Sequence, residues 1–213
     1  MRIDLGKPVP CEDGVDRRLV DVVIDAGSNS VTHVVVEPEE HPEAARLVPM
    51  ALAEADREGQ GLSLRCTAET LKQLEPVREY AYLRPGEPLE EDSKWDVGVE
   101  DMQAIPNDAS AAFGDYAGDL DLDVAVTYDR VPKGEIELRH ASAVYSVDGH
   151  HLGRVDGVLV DADRRVTHLL LERGHLWWRR EVAVPAEAVA KFETDLVTLG
   201  VSKREVGDLA KSS

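Results

Sequence analysis

The segment Gly174–Arg180 contains two adjacent tryptophans followed by two arginines. Neighbouring side chains of a β-strand face opposite sides, so we expect one tryptophan to face outward beside an arginine. Tryptophan and arginine are enriched among the residues that dominate binding energy at protein interfaces. Further arginines are predicted on nearby turns. The candidate partner-binding residues are Arg164, Arg165, Arg173, Trp177, Trp178, Arg179 and Arg180.

Two other roles are compatible with the same segment. One tryptophan could plug the end of a small β-barrel while the other lies under the stem of an arginine. Alternatively, the segment could bind the acidic middle part of the chain itself. The sequence leaves these three roles open.

Histidines are the next candidates for chemistry. His33 and His168 each follow Val-Thr and occupy matching positions of an internal repeat, which favours a structural role. His150 and His151 lie near Asp148, but no cysteine pair or helix-spaced histidine accompanies them, as a metal site would require. We therefore predict no metal and no cofactor.

Motifs of nucleophilic or phosphate chemistry are absent from the sequence, which has no Gly-rich phosphate loop and no Gly-x-Ser-x-Gly elbow. The acidic run Asp119–Asp123 lacks the glycine and the final glutamate of a calcium loop. Asp21 and Asp156 lie beside turns, where an aspartate usually accepts hydrogen bonds. The sequence predicts a protein that is not an enzyme.

The elements that hold these residues occur twice. Asp13–Glu37 and Asp148–Glu172 align without a gap at an offset of 135 residues, and nine of the 25 positions are identical, too many for two unrelated segments. A Val-Pro step follows in both copies after a slip of one residue. The repeat-equivalent residues predicted to be structural are Gly14 and Gly149, Asp21 and Asp156, His33 and His168, and Pro49 and Pro185.

Each repeat has the pattern of short strands. Val20–Ile24 and Val155–Val160 are apolar and largely β-branched, and a second such run follows each after a polar turn, which predicts a hairpin. The Asp-Gly pairs predict an earlier turn with positive φ. Thr67 and Ser202 predict the caps of short terminal helices. The sequence therefore predicts a mainly β protein with two small barrels of about six strands each.

The second repeat resembles the PRC-barrel family, named for the H subunit of the photosynthetic reaction centre and also found in the C-terminal part of the ribosome maturation factor RimM. The residues that carry the resemblance are Val144, Asp148-Gly149, Gly153-Arg154-Val155, Gly157–Asp161, Val166–Glu172, Val182–Pro185 and Val197–Leu199. The resemblance implies that glycines serve turns and valines fill the interior, and it supplies no catalytic residues.

The first repeat is more divergent than the second. It has Arg17-Arg18-Leu19 where the second has Leu152-Gly153-Arg154, and an insertion-like Pro38–Ala45 where the second has a hairpin. Between the repeats, Leu83–Gly134 contains 13 acids and four bases, which predicts an acidic, partly disordered linker. Four of its large apolar and aromatic residues predict that part of it docks on a barrel. These four are Trp95, Ile105, Phe113 and Tyr116. The predicted domains are 1–82, 83–134 and 135–213.

Composition limits the partners. With 42 acids and 24 bases, the net charge of −18 disfavours direct contact with nucleic acid or an anionic membrane. No apolar run is long enough to span a bilayer, and the N-terminus lacks the apolar stretch of a signal peptide. The two cysteines, Cys11 and Cys66, fit a reducing compartment, and we predict a cytoplasmic location.

The sequence as a whole predicts a non-enzymatic interaction module, an adaptor built of tandem PRC-barrels. Its partner would be another protein or a second copy of the chain, with a homodimer as one outcome. Two alternatives follow from the resemblance. One is a RimM-like factor in RNA processing that acts through a ribosomal protein, and the other is an accessory subunit that docks to a membrane complex, like the reaction-centre H subunit.

Overall fold

The computed structural model describes residues 1–41, 44–56, 61–83, 95–104, 124–174, 180–193 and 195–209. The fold is mainly β, as predicted. Contacts divide the chain into two compact units. One contains Met1–Glu75 together with Gly134–Ser213, and the other contains Pro76–Lys133. Apart from Pro76–Tyr82 of the first, both repeats therefore belong to one unit, whereas the sequence predicted a separate domain for each.

The first repeat contains the short strands that the apolar runs predict, and α1 ends it. Its described elements are β1 (Arg2–Asp4), β2 (Pro8–Pro10), β3 (Asp16–Asp25), β4 (Ser30–Glu37), β5 (Arg46–Pro49), β6 (Ala53–Ala55), β7 (Leu62–Leu64) and α1 (Ala68–Leu71). A 3-10 turn, Met50–Leu52, follows the Val-Pro step at the end of β5.

The unit Pro76–Lys133 forms a three-stranded antiparallel sheet. Its strands are β8 (Arg78–Leu83), β9 (Trp95–Ala104) and β10 (Val124–Pro132), in the order β8-β10-β9. The predicted linker, Leu83–Gly134, thus contains extended strands. The predicted docking residues Ile105, Phe113 and Tyr116 lie outside the described residues.

The second repeat follows the same plan as the first. Its elements are β11 (Glu135–Arg139), β12 (Ala143–Tyr145), β13 (His151–Val160), β14 (Val166–Arg173), β15 (Arg180–Pro185), β16 (Val189–Glu193), β17 (Leu196–Leu199) and α2 (Lys203–Leu209). A 3-10 turn, Ala186–Ala188, again follows the Val-Pro step. Among the described residues, neither α1 nor α2 has the length or apolar character needed to cross a bilayer.

The first strand of each repeat pairs with the long strand of the other. β1 lies antiparallel to β13, with Ile3 opposite Val158, and β11 lies antiparallel to β3, with Leu138 opposite Val22. The result is a seven-stranded sheet in the order β15-β14-β13-β12-β17-β16 with β1 added on β13. A five-stranded sheet has the order β11-β3-β4-β5 with β2 added on β3, and β6 pairs with β7. The repeats are therefore joined by exchange of their first strands.

The two repeats share one hydrophobic core. The buried cluster contains Ile3, Leu19 and Val22 from the first repeat together with Leu138 and Val158 from the second. The pairing among the described strands forms no closed barrel. This differs from the predicted pair of separate barrels. Local hydrophobic pattern fixes which face of a strand is buried, but it does not fix which copy of a repeated partner strand is chosen.

A reciprocal seam joins the hairpin turns of the two repeats. The N–H of Val31 donates to the carbonyl of Arg164 at 2.9 Å, and the N–H of Val166 donates to the carbonyl of Asn29 at 2.9 Å. Asn29 and Arg164 both have positive φ, 54° and 65°. Between them, a single bridge joins the backbones of Ser30 and Arg165. The seam repeats each contact with the roles of the two copies reversed.

Strand registers correct the gapless alignment of the repeats. Val22 lies opposite Val34, and Val158 lies opposite Leu169. Val34 and Leu169 are 135 positions apart, whereas Val22 and Val158 are 136 positions apart. Residues of β3 are therefore equivalent to residues of β13 at an offset of 136, one more than the offset of 135 in the sequence alignment.

The slip arises from one additional residue in β13. Its pairing with β12 is irregular around Leu152, and the following turn is one residue shorter than in the first repeat. Asp21 is consequently equivalent to Gly157, and its predicted equivalence to Asp156 is wrong. The extra residue in the strand and the missing one in the turn cancel, so the sequence alone could not show the slip.

Turns and helix starts agree with the sequence predictions. Gly14 and Gly149 have φ of 75° and 76°, which glycine adopts without strain. Thr67 Oγ1 accepts the N–H of Thr70 at 3.2 Å at the start of α1. Ser202 and Glu205 bond reciprocally at the start of α2, as in a capping box. These features depend on a few adjacent residues, which explains why they were predictable.

Candidate functional site

A cavity of about 370 Å³ lies in the first repeat, beside the last residues of β4, the start of β5 and helix α1. Its lining combines apolar side chains with basic ones. The apolar lining residues are Val36, Pro38, Ala44, Ala68 and Leu71, and the basic lining residues are Arg17, His41, Arg46 and Lys72. We call this cavity the basic pocket. It is unusual for this protein, since the chain carries a net charge of −18.

Local sequence explains how the basic pocket is formed. Arg46 opens β5 and lies directly opposite Val36 of β4 in the antiparallel ladder. The cap at Thr67 fixes the start of α1, and α1 turns Ala68 and Leu71 inward, where both are buried. Burying these apolar side chains stabilises the wall and leaves the basic side chain of Arg46 beside it.

Arg46 is the most informative side chain of the pocket. Its Nη1 donates to the carbonyl of Ala45 at 3.2 Å. Its Nε is buried and has no hydrogen-bond partner among the described residues. Leaving a buried donor unsatisfied costs about 1–3 kcal/mol, and more for a charged group. Native proteins rarely accept this cost without a reason, and a ligand that accepts the hydrogen bond is one such reason.

The other two cations of the pocket have local partners. Arg17 Nη1 donates to the carbonyl of Asp16 at 3.0 Å. Lys72 Nζ forms an ion pair with Glu69 at 2.7 Å, with side chains 66% and 74% exposed. An ion pair this exposed contributes between zero and about 1 kcal/mol. Lys72 can therefore turn toward an anion in the pocket at little cost.

The basic residues of the pocket are specific to the first repeat. Strand registers make Arg17 equivalent to Gly153 and Arg46 equivalent to Val182. Lys72 and Gly207 each lie five positions after the residue that caps their helix, so these two positions are also equivalent. Three basic positions thus correspond to two glycines and a valine in the other copy. The framework is shared, whereas the charges beside the cavity are not.

Sequence reasoning missed this pocket. The available signals were the insertion-like Pro38–Ala45, which supplies three lining residues, and the arginine pair Arg17-Arg18. Arg46 was not recognised, although the one-residue slip at the Val-Pro step already aligns it with Val182. The convergence of β3, β5 and α1 on one cavity is a tertiary feature.

The arginines of the predicted partner surface lie in two places. Arg164 and Arg165 occupy the turn before β14, in the seam between the repeats. Arg173 ends β14 and lies opposite Arg180, the first residue of β15. At roughly 3.3 Å per residue, the two ends of β14 are about 25 Å apart. The structure therefore does not bring these arginines together. Trp177, Trp178 and Arg179 lie outside the described residues.

The repeat-equivalent histidines make matching contacts. His33 Nδ1 lies 3.0 Å from Thr32 Oγ1, and His168 Nδ1 lies 3.2 Å from Thr167 Oγ1. Each threonine hydroxyl in turn donates to a carbonyl of the adjacent long strand, at 3.2 and 3.1 Å. His33 lies opposite Pro49, and His168 opposite Pro185. These contacts support the predicted structural role of all four residues.

Asp21 and Asp156 occupy different surroundings. Asp21 is buried and accepts the backbone N–H of His140 at 3.0 Å, which links the two repeats. Asp156 belongs to a carboxylate cluster with Asp4 and Glu181, whose oxygens lie within 4.8 Å of one another. Burial, followed by the charges of Glu181 and Asp4, raises the pKa of Asp156.

The carboxylate cluster is held by an arginine. Arg2 Nε donates to Asp4 Oδ1 at 2.7 Å, and Arg2 Nη1 donates to Glu181 Oε1 at 2.9 Å. The guanidinium supplies positive charge to two of the three carboxylates. The three acids come from β1, β13 and β15, so their convergence depends on the exchanged strand and could not be predicted from sequence spacing.

The two cysteines are buried free thiols. Burial, followed by the charge of Cys66, raises the pKa of Cys11 to about 11. Burial is also the main cause that raises the pKa of Cys66. A thiol is nucleophilic as the thiolate, so neither side chain has the character of a catalytic nucleophile.

A scan against protein-family models and a search of curated proteins both find no match to this chain. The geometry of the basic pocket is therefore the basis for a functional proposal. The pocket places Arg17, Arg46 and Lys72 beside apolar lining residues, which suits an anionic group that carries an apolar neighbour.

Proposed function

We propose that this protein is a non-enzymatic protein-interaction module, an adaptor, and that the basic pocket is its partner site. The observation that carries the proposal is the set of basic side chains, Arg17, Arg46 and Lys72, that lines this cavity in a strongly acidic chain. The Nε of Arg46 is buried and has no hydrogen-bond partner among the described residues. A partner that reorients this half-buried side chain and supplies an acceptor would satisfy the donor.

The described lining favours binding over catalysis. Its polar groups are guanidinium, ammonium and imidazole, which hold an anion. A hydrolytic site would need a nucleophile, a base and a third group that orients the base, all converging on one point. The described lining residues do not include a serine, cysteine or carboxylate for such a set.

The charge of the molecule sets how a partner would approach. The net charge of −18 repels acidic macromolecules at long range, which disfavours nucleic acid. At physiological salt this repulsion is screened beyond about 8 Å. An acidic group can therefore reach the basic pocket at close range, and the surrounding acids exclude partners that do not fit it.

Membership of the PRC-barrel family is part of the proposal. The order of elements along the chain, which recurs in both repeats, and the Asp-Gly turns at Gly14 and Gly149 support it. In this proposal two PRC-like copies form one strand-exchanged pair. The buried free cysteines support the further proposal of a reducing, cytoplasmic location. Within the described part of the chain, we see no feature that favours a RimM-like or reaction-centre-like role over a general adaptor.

The test compares two lysines that differ only in location. Lys72 lines the basic pocket, and Lys191 lies in the second repeat with a similar exposure and a similar ion pair, to Glu193 at 2.6 Å. Wild type, Lys72→Glu and Lys191→Glu are immobilised and challenged with a cell extract, and captured proteins are quantified by mass spectrometry.

A protein that wild type and Lys191→Glu capture equally and Lys72→Glu captures at least fivefold less identifies the partner and supports the proposal. If no protein shows this pattern, light scattering tests the remaining form of the proposal, a homodimer. Wild type and Lys191→Glu should then be dimers and Lys72→Glu a monomer. Monomers throughout, with no pocket-dependent capture, would refute the proposed function.

A further inference from the structure

We infer that the basic pocket recognises an acidic peptide segment in which an aliphatic side chain lies next to a carboxylate. This inference rests on the proposed function and names the chemistry of the partner. It follows from the geometry of Arg46, from the apolar wall beside Arg46, and from the net charge of the chain.

Arg46 lines the pocket with a half-buried side chain. Nη1 is already bonded to the carbonyl of Ala45. Nε is buried and has no hydrogen-bond partner among the described residues, so the side chain must turn its Nε edge toward the cavity to bind a ligand. Two parallel N–H groups on one edge match the two oxygens of a carboxylate, which arginine commonly binds in a bidentate manner.

The wall beside Arg46 is apolar. Val36 lies directly across the ladder from Arg46, and Leu71 and Ala68 project from α1 into the same cavity. These three side chains are already buried, so the apolar lining that water still reaches is that of Pro38 and Ala44. An aliphatic side chain adjacent to the carboxylate would cover these two residues and gain binding energy in proportion to the apolar area removed from water.

The charge of the chain limits how much negative charge the ligand can carry. The net charge of −18 repels a dianion more strongly than a monoanion, and the charge of Lys72 is already balanced by Glu69. A phosphate carries about −1.5 to −2 charges at pH 7, whereas a carboxylate carries one. We therefore expect Asp and Glu side chains to bind in preference to phosphorylated ones.

The probe is a fluorescein-labelled peptide, Glu-Leu-Glu-Leu-Glu, whose binding to the full chain is followed by fluorescence anisotropy. Three peptides of equal length isolate its features. Gln-Leu-Gln-Leu-Gln removes the carboxylates, Glu-Ser-Glu-Ser-Glu removes the aliphatic side chains, and a version with phosphoserine in place of the central glutamate tests phosphate. We expect the parent peptide to bind at least tenfold more tightly than each of the three.

Variants of the protein test whether Arg46 is the residue that holds the peptide. Arg46→Val introduces the residue that the second repeat carries at the equivalent position, Val182, so the fold should accept it. We expect this variant to bind the parent peptide at least tenfold more weakly. Arg46→Lys keeps the charge without the two-donor edge and should bind several-fold more weakly. Lys191→Ala, outside the pocket, should bind like wild type. Thermal unfolding checks that each variant is folded.

Three results obtained while the parent peptide binds would overturn the inference. These are equal binding by Arg46→Val and wild type, equal binding of the leucine and serine peptides, and tighter binding of the phosphopeptide. Absence of binding to the parent peptide would also overturn it. In that case, a protein captured by wild type and Lys191→Glu but much less by Lys72→Glu would still support the proposed function. The failure of the inference and the failure of the proposed function are therefore distinguishable.

Discussion

At the scale of single residues, two partly buried side chains lie in unfavourable electrostatic surroundings. Arg46 has a buried donor without an acceptor among the described residues, and Asp156 is a partly buried carboxylate among other carboxylates. Both conditions weaken the folded state, and each is relieved by a different event. A ligand would relieve Arg46, whereas a proton relieves Asp156.

Asp156→Asn is expected to stabilise the protein at neutral pH. Burial and the charges of Glu181 and Asp4 raise the pKa of Asp156 in the folded state above its value in the unfolded chain. The folded state then binds the proton more readily, so its stability falls as pH rises through this range. Asparagine resembles the protonated form. Urea unfolding should show a gain for the variant at pH 7.5 that shrinks toward zero near pH 3.

The matching control is Asp163→Asn, in an exposed turn. It removes the same charge and should change stability little at either pH. A gain for Asp156→Asn that is equally large at low pH would contradict the electrostatic explanation, because the aspartate is then already neutral.

The buried cysteines should react slowly in the folded protein. With a pKa of about 11 for Cys11, only about one thiol in a thousand is ionised at pH 8. Labelling with a thiol reagent should be at least a hundredfold slower in native buffer than in 6 M guanidinium. Rapid labelling of both thiols in native buffer would show that Cys11 and Cys66 are exposed.

At the scale of elements, the local signals in the sequence were sufficient for hairpins, turns and caps, but not for pairing between distant strands. The Asp-Gly turns and the cap at Thr67 each depend on a few consecutive residues, and both were predictable. The exchange of β1 and β11 joins residues more than 100 positions apart. Both copies carry similar apolar strands, so the sequence favours neither choice of partner.

Gly157 is expected to be essential for the β1–β13 pairing. A Cβ built on Gly157 would collide with the carbonyl oxygen of Ile3, a backbone atom that cannot move aside alone. Gly157→Ala should therefore lower the free energy of unfolding by about 1–3 kcal/mol, the usual cost of overpacking. Denaturant unfolding measures this loss.

The control for Gly157→Ala is Gly207→Ala. Gly207 lies in α2, and a Cβ there meets nothing within 4 Å. Alanine in place of glycine in a helix should be neutral or stabilising by up to about 1 kcal/mol. If both variants lose the same stability, close approach of β1 is not the reason for the glycine at position 157.

At the scale of the whole molecule, the two repeats share a core and specialise at one place. The framework recurs from β1 to α2, whereas the basic residues beside the cavity of the first repeat correspond to glycine and valine in the second. We propose that one copy keeps only the framework while the other also carries a binding site. The candidate site was not predicted because its residues lie apart in the sequence and meet only in the tertiary structure.

The shared core predicts that both repeats unfold together. Ile3 is fully buried and pairs with Val158 of the other repeat. Ile3→Ala should cost about 2–5 kcal/mol, typical of a large-to-small change in a core. Native-state hydrogen exchange should show equal losses of protection at Val22 in β3 and Val158 in β13. Loss confined to β13 would mean that the repeats are separate cooperative units.

The central claim is that Arg46 is the anchor of a partner site, and nitrogen-15 NMR of arginine Nε–H groups tests it most directly. The Arg46 signal is identified as the one absent from Arg46→Val. On addition of Glu-Leu-Glu-Leu-Glu, this signal should shift downfield as Nε gains a carboxylate acceptor, while the signals of Arg164 and Arg165 stay in place. An Arg46 signal that does not move while the peptide binds would contradict the account.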